Sequence, residues 1–589
     1  MGRRTGRGWS VACGFGVLAL MAASAEAQSV LERHPVAAPP TNAAPITIDA
    51  STYGSNDTTP YGVNLAGVSL IGEHDAVATR PANGISVSLA PVTAGKDALR
   101  PALEQALRPF LGKPLSAHAI AALQAAVAGV YRSFGLPFVS VTAPPQEITS
   151  GVVQLRVVAF QLGRSTVSGA GADEAAIMAG VRAKPNETID ARELSEDLDW
   201  LNRTPYRHVG AVFSPGEATA LTNLSLGVTE QKPWSLTAGW SNSGSSATGL
   251  QRYSLGAGLF LPSLNGTTLS VLVTGGTNFW SDPSRIVLDG GDYPDYLSEA
   301  ARIVIPTFAR QQIEITPDVV ATRQSLDANL SVENLTWEVP VYYRSAVSNI
   351  LPGHYWGDIY GGVELKGLQR DVYYDGVKAA AGTAGLMQFA IGWSNTIADP
   401  LGQTALDLRL ELNPGSTVSD SDNAAWSSYS NGRVTDTSYV YGVVNLTRRT
   451  DLPKGFAWIG GITGLIADTP LPDTEQLALG GSAGSRGYGF SNVAVDRGLI
   501  FRNELRLPTQ NPPLPGLALG LSPYLFADAA WGENLSTKAS NKLVSLGVGL
   551  DAAVGDHLTA SVTAGRAMTD AGSVEAGDWT VLGTVNVRF

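Results

Sequence analysis

The chain has 589 residues, of which 65 are Gly and 12 are Trp, and only 16% are charged, a length that implies more than one domain. Its 40 basic and 52 acidic residues give a net charge of −12, which argues against a nucleic-acid partner. Mean hydropathy is close to zero, and no stretch beyond the N-terminus has 18 consecutive apolar residues, so a stack of transmembrane helices is excluded.

Residues 1–27 read as a signal peptide. Arg3, Arg4 and Arg7 form a basic start, Val11–Ala22 is a short apolar run, and Ala25-Glu26-Ala27 is a cleavage site before Gln28. The apolar run is too short to span a bilayer. The single cysteine, Cys13, lies in this segment, so the exported chain is expected to hold no disulfide or thiol chemistry. Removing three Arg and Glu26 leaves 37 basic against 51 acidic residues. Residues 28–60 are rich in Pro, Ala, Thr and Asn without periodicity and read as a linker.

Residues 61–163 mix strands and helices. Gly84–Leu89 alternates as a strand, and Ala98–Leu111 has a helical pattern interrupted by Pro101 and Pro109. Ser116 is placed to cap a second helix whose Ile120, Leu123, Val127 and Val130 repeat at helical spacing. Phe138–Val141 and Gly151–Phe160 follow as strands. The order, with the run Pro144-Pro145-Gln146-x-Ile148-x-x-Gly151, resembles a polypeptide-transport-associated (POTRA) domain of the secretion type. Residues 164–231 repeat the plan, with Asp190 capping a helix that carries Leu194, Leu198 and Leu201. Leu201-Asn202-Arg203 through Pro215-Gly216 resembles the corresponding segment of a second POTRA domain. An edge strand of such a module can accept an extended segment by strand addition; the modules could equally be spacers or docking sites for other envelope proteins.

From residue 232 to 589 the period changes to two. Leu236, Ala238 and Trp240 share one face, and Leu546, Val548 and Leu550 alternate with Gly547, Gly549 and Asp551. Segments of about ten residues with one apolar and one small or polar face are the pattern of a transmembrane β-barrel. A soluble sandwich is the competing architecture. Trp234, Trp240, Trp393, Tyr524 and Trp531 near segment ends favour the membrane, as does a last amphipathic segment ending in Phe589. At about ten residues per strand the region holds an even number of strands in the mid-teens. Asn413–Ser438, rich in Ser, Asp and Asn, is expected to be an exposed loop.

Within the barrel region, residues 480–498 form a long Gly-rich loop centred on Arg486-Gly487-Tyr488. An Arg carried into a cavity needs a carboxylate partner. Asp528 on the Phe526-x-Asp528 segment is the first candidate and Glu504 the second. A surface hairpin is the alternative for the triplet alone. The pattern Gly-Gly-x4-Arg-Gly-Tyr-x7-Asp-Arg-Gly-x5-Glu-x-Arg resembles the haemolysin/filamentous-haemagglutinin branch of the outer-membrane polypeptide transporters, the ShlB/FhaC/HecB or two-partner secretion family. That resemblance implies a 16-stranded transmembrane antiparallel β-barrel behind two periplasmic α+β POTRA domains. It also implies an inward-folding loop tip and a C-terminal Phe589 read by the barrel-assembly machinery. Ser485 stands where the family has Val or Ile, and Ala530 where its wall motif has Gly. Some relatives carry an N-terminal helix that plugs the barrel; Ser29–His34 is too short to form one.

No His pair has metal-ligand spacing, and no phosphate-binding loop is present. Gly480–Gly484 matches G-x-S-x-G but has no helix after it. Asp282, Asp289, Asp292 and Asp295 lack an EF-hand pattern. No enzyme activity and no cofactor are expected. The implied function is secretion, without nucleotide hydrolysis, of a large exoprotein that enters in extended form. Outer-membrane lipid and the assembly machinery are the other implied partners. An outer-membrane assembly or insertion factor is the alternative.

Overall fold

The computed structural model describes residues 32–36, 55–88, 98–169, 174–218, 220–282, 293–325, 329–490 and 493–589. The signal peptide, most of the linker, and Asp289 and Asp292 lie outside the described residues. The chain divides into two compact units, residues 41–231 with 350–355, and the remainder.

The first unit holds two small α+β modules. In the first, β1 (Gly67–Ile71), β2 (Gly84–Ser88), β3 (Val139–Thr142) and β4 (Val152–Ala159) form a sheet in the order β2-β1-β4-β3. Helices α1 (Leu99–Leu107) and α2 (Ala117–Ser133) bury Leu103, Leu107, Leu123, Val127 and Tyr131 in its core. The Ser116 side chain caps α2 by accepting from the Ala119 N–H at 3.1 Å. Strand β1 escapes the sequence pattern for a physical reason. It is parallel to both neighbours and four of its five residues are buried, so its faces do not alternate.

The second module pairs β5 (Gln161–Ser168), β6 (Arg207–Pro215) and β7 (Leu221–Glu230) in the order β5-β7-β6, with α3 (Glu174–Gly180) and α4 (Ala191–Leu201). Asp190 caps α4 by accepting from the Arg192 N–H at 2.9 Å. Arg182 closes the module through Glu196 at 2.7 Å and Asp197 at 2.9 Å.

The second unit is a closed, wholly antiparallel barrel. Seventeen assigned segments make sixteen strands, because Gln311–Ile315 and Asp318–Ser325 are halves of one strand broken at Pro317; both halves pair with the segments on either side. The apolar face of the alternation points outward. Leu236, Leu255, Val548, Val562 and Val581 are all about half exposed, which a sandwich core would have buried. Tyr524 departs from the expected outer aromatic belt. It faces the lumen, is buried, and lies 2.7 Å from the Thr563 hydroxyl. The barrel is closed by its shortest main ladder, Thr237–Ser241 against Thr584–Arg588. By contrast, Leu330–Ala346 pairs with Asp358–Tyr374 along its whole length.

Asn413–Ser438 is largely exposed, as its composition indicates, but it is not a plain loop: it carries a small buried core. It contains α5 (Asn423–Tyr429), whose Trp426 is fully buried and donates from its indole to the Gly385 carbonyl at 2.9 Å. Polar residues dominate its composition because they cap and turn the segment: Asp422 accepts from the Ala425 N–H, and Thr437 donates to the Ser421 carbonyl.

Candidate functional site: the loop inside the barrel

Between Ala457–Ala467 and Arg497–Arg506, residues 468–490 and 493–496 fold back into the lumen. The loop neck is a two-residue ladder, Leu477–Ala478 against Ala494–Val495. The tip is held by its own backbone, with the Ser485 N–H donating to the Leu479 carbonyl and the Gly481 N–H to that of Tyr488.

Arg486 is buried at the tip. Its Nε lies 2.8 Å from Asp528 Oδ2 and its Nη2 2.8 Å from Asp528 Oδ1, a bidentate pair, and its backbone N–H also donates to Oδ2 at 3.2 Å. Nη1 meets Glu504. The guanidinium carbon sits 4.0 Å from the centre of the Phe526 ring. The charges continue along the inner wall, with Arg506 3.0 Å from Glu504 and 2.7 Å from Asp551. Strand alternation explains the row: Glu504 and Arg506, like Phe526 and Asp528, are two residues apart and share the inward face.

Gly487 packs against the wall. A Cβ there would lie 2.6 Å from the Ser545 Cβ and 3.0 Å from the Arg566 carbonyl carbon. The wall answers with Gly565, where a Cβ would meet the Arg486 carbonyl oxygen at 2.7 Å. The close approach falls here, while Ala530 is simply buried in the apolar cluster. Tyr488 is fully buried; its hydroxyl lies 2.7 Å from the Thr569 carbonyl. Ser485 has a partner that accounts for a hydroxyl in a buried place, Ser545 at 2.9 Å. Phe589 is exposed at the barrel edge, its backbone paired with that of Leu236. Ser482 of the G-x-S-x-G match lies exposed in the loop turn.

Three further features shape the lumen, and only one of them falls on a sequence motif. Lys366 lies 2.8 Å from Glu475 on the inward loop and 2.9 Å from Glu364 on the wall, and Gln388 donates to both carboxylates. Asp496 is fully buried and ties the loop's two ends together, accepting from the Leu471 N–H, the Gln476 amide and the Leu535 N–H. It is the Asp of the Asp-Arg-Gly run, so the family pattern marked it without giving its role.

The third is the N-terminal segment. Residues 32–36 lie in the lumen without helical structure. Glu32 receives both Nε (2.7 Å) and Nη2 (2.6 Å) of the buried Arg252, and the Tyr296 hydroxyl donates to the Glu32 carbonyl. Arg33 pairs with Glu338, with Asp318 at 3.6 Å. The described residues 32–36 thus occupy the lumen without a helix of their own, held by the charges of Glu32 and Arg33.

Residues 360–552 match the family model of the haemolysin secretion/activation proteins ShlB/FhaC/HecB, and residues 86–159 match the ShlB-type POTRA domain. The heme/hemopexin transporter protein HuxB of Haemophilus influenzae is 24% identical over 473 residues, spanning 76% of this chain and 77% of that protein. Among solved structures, CdiB from Escherichia coli has a TM-score of 0.68 at 16% identity, covering 93% of this chain and 94% of its own. CdiB from Acinetobacter baumannii has a TM-score of 0.59 at 14% identity, covering 95% of each chain. These structural likenesses establish the fold.

Proposed function

We propose that the protein is a two-partner secretion transporter, a β-barrel of the outer membrane with POTRA modules in the periplasm, a reading that the family-model and HuxB matches support. On that reading it secretes one large exoprotein, which its POTRA modules receive in extended form and its barrel passes outward without nucleotide. The edge strands β2 and β3 of the first module and β5 and β6 of the second are candidate acceptors, since each has a neighbouring strand on one side only. Folding of the client outside would make return unfavourable.

The observation that carries this reading is the lumen itself. Its inner wall is charged on successive strands, and a loop from the barrel's own far end is held there by the buried Arg486–Asp528–Glu504 cluster. A diffusion porin shares the barrel but needs no POTRA modules, and residues 86–159 match one. The residues proposed to matter are Arg486, Gly487 and Tyr488 at the tip, with Asp528, Glu504 and Phe526 as their seat.

Deletion of the gene, with comparison of exported and surface proteins, tests the proposal. Loss of one large exoprotein with other outer-membrane barrels intact is the expected result. A general fall in outer-membrane barrels would instead identify an assembly factor.

A further inference from the structure

The far end of the barrel, opposite Trp234 and Phe589, carries a second inward element besides the long loop. Residues 415–437 lean on the Val377–Asp399 strand, which at 23 residues is far longer than a membrane crossing needs and projects beyond it. Three hydrogen bonds seat the segment on that strand: the Trp426 indole on the Gly385 carbonyl, the Gly385 N–H on the Asp420 carbonyl at 2.9 Å, and the Thr383 hydroxyl on the Asp420 carboxylate at 3.2 Å. Beneath it, Trp426, Tyr429 and Val434 share one apolar cluster with Leu471, Leu477, Leu479, Tyr488, Val493 and Val495 of the long loop.

One polar joint ties the two inward elements together. Arg433 donates to the Leu471 carbonyl at 2.7 Å, pairs with Asp473, and lies 3.7 Å from Asp496. Arg370 of the wall reaches the same Asp473 at 3.1 Å and also donates to the Tyr429 carbonyl. A single carboxylate on the long loop thus receives one arginine from the wall and one from the 415–437 segment.

We propose that residues 415–437 form a lid over the exit of the lumen and that Arg433 is its latch to the long loop. The comparison of the two joints decides which element yields first. Arg486 and Asp528 are almost wholly buried, 4% and 0% exposed at their side chains, whereas Arg433 and Asp473 are 21% and 33% exposed. A buried, bidentate pair resists separation far more than one that water already reaches. The lid also has backbone positions suited to a hinge: Gly415 and Ser416 at one end, and Asn431 and Gly432 after α5, all have positive φ. A chain leaving the lumen displaces the lid, and the tip around Arg486 stays seated. Arg433 is a positioning residue for export, and the inference rests on the barrel being the client's route.

The test uses the full-length protein in planar bilayers and in cells. Arg433→Gln and Asp473→Asn should each raise the open fraction of the channel about tenfold, the scale set by losing one partly exposed charge-assisted joint. The double variant should open no more often than the singles. Heat-modifiable gel mobility shows that each barrel is folded. Thr383→Cys with Asp420→Cys, bridged by a short bismaleimide, should hold the lid shut, reduce opening and block secretion, while the unbridged double variant secretes.

Folded variants with wild-type open fractions would overturn the latch. A bridged barrel that secretes its client at the wild-type rate would overturn the lid. If no exoprotein depends on the gene, the secretion reading fails, and the bilayer arm alone decides the latch.

Discussion

Arg486 and Asp528 meet through two 2.8 Å hydrogen bonds that join the tip of an inward loop to the barrel wall, 42 residues further along the chain. Both side chains are buried, and Glu504 on the adjacent strand adds a second carboxylate that Arg486 shares with Arg506. The pair therefore acts as a clamp between loop and wall.

Arg486→Ala would leave Asp528 buried in the wall without its cation, while Glu504 keeps Arg506. Breaking a buried pair on one side costs about 3–5 kcal/mol. The variant should lose its heat-modifiable fold at a lower temperature and secrete less client, with a smaller effect on pore opening. Arg486→Lys should restore only part of the loss, because an ammonium cannot reproduce the bidentate contact. Wild-type secretion and melting by the alanine variant would refute the clamp.

Gly487→Ala should unseat the tip even though the side chain gains one methyl group. The added carbon would lie 2.6 Å from Ser545 Cβ and 3.0 Å from backbone at Arg566, where the strand cannot yield. Ser545→Gly removes only the first of these clashes. The double variant should therefore recover part of the secretion lost by Gly487→Ala. No recovery would locate the defect elsewhere in the loop.

Arg33→Glu places a third acid beside Asp318 and Glu338. The N-terminal segment should leave the lumen, and resting conductance should rise. The swap Arg33→Glu with Glu338→Arg should bring it back down. Lys366 lies 3.9 Å from Glu338, so recovery in the swap should be incomplete. Unchanged conductance in the single variant would show that the segment does not obstruct the pore.

Phe589→Ala tests assembly apart from stability. Phe589 is exposed and its contribution to the barrel is the backbone pairing with Leu236, which alanine retains. Less protein should reach the outer membrane, while the molecules that do should melt as wild type. An equal yield would remove Phe589 from the assembly step.

What the sequence by itself determined is local and periodic. Period-two alternation marked the strands and their two faces, and the signal peptide, the aromatics near segment ends and the last amphipathic segment favoured a barrel in lipid over a sandwich. Ser116 and Asp190 announced helix starts, since a side-chain oxygen beside free N–H groups is a local device. Glu504 and Asp528 stood out by type and register beside the Arg-Gly-Tyr triplet. The tertiary structure alone decided the rest. Strand β1 is buried by neighbours on both sides, which erases the alternation that would reveal it. Trp426 is buried by a wall and a loop that are distant in sequence, so its polar surroundings read as an exposed loop. Lys366 and Glu475 are 109 residues apart, as Arg33 and Glu338 are 305 apart. No spacing rule relates such partners, because only closure of the barrel brings opposite walls, inward loop and N-terminal segment into the same small lumen. There an unpaired charge is costly, and these charges meet their counter-charges across the lumen.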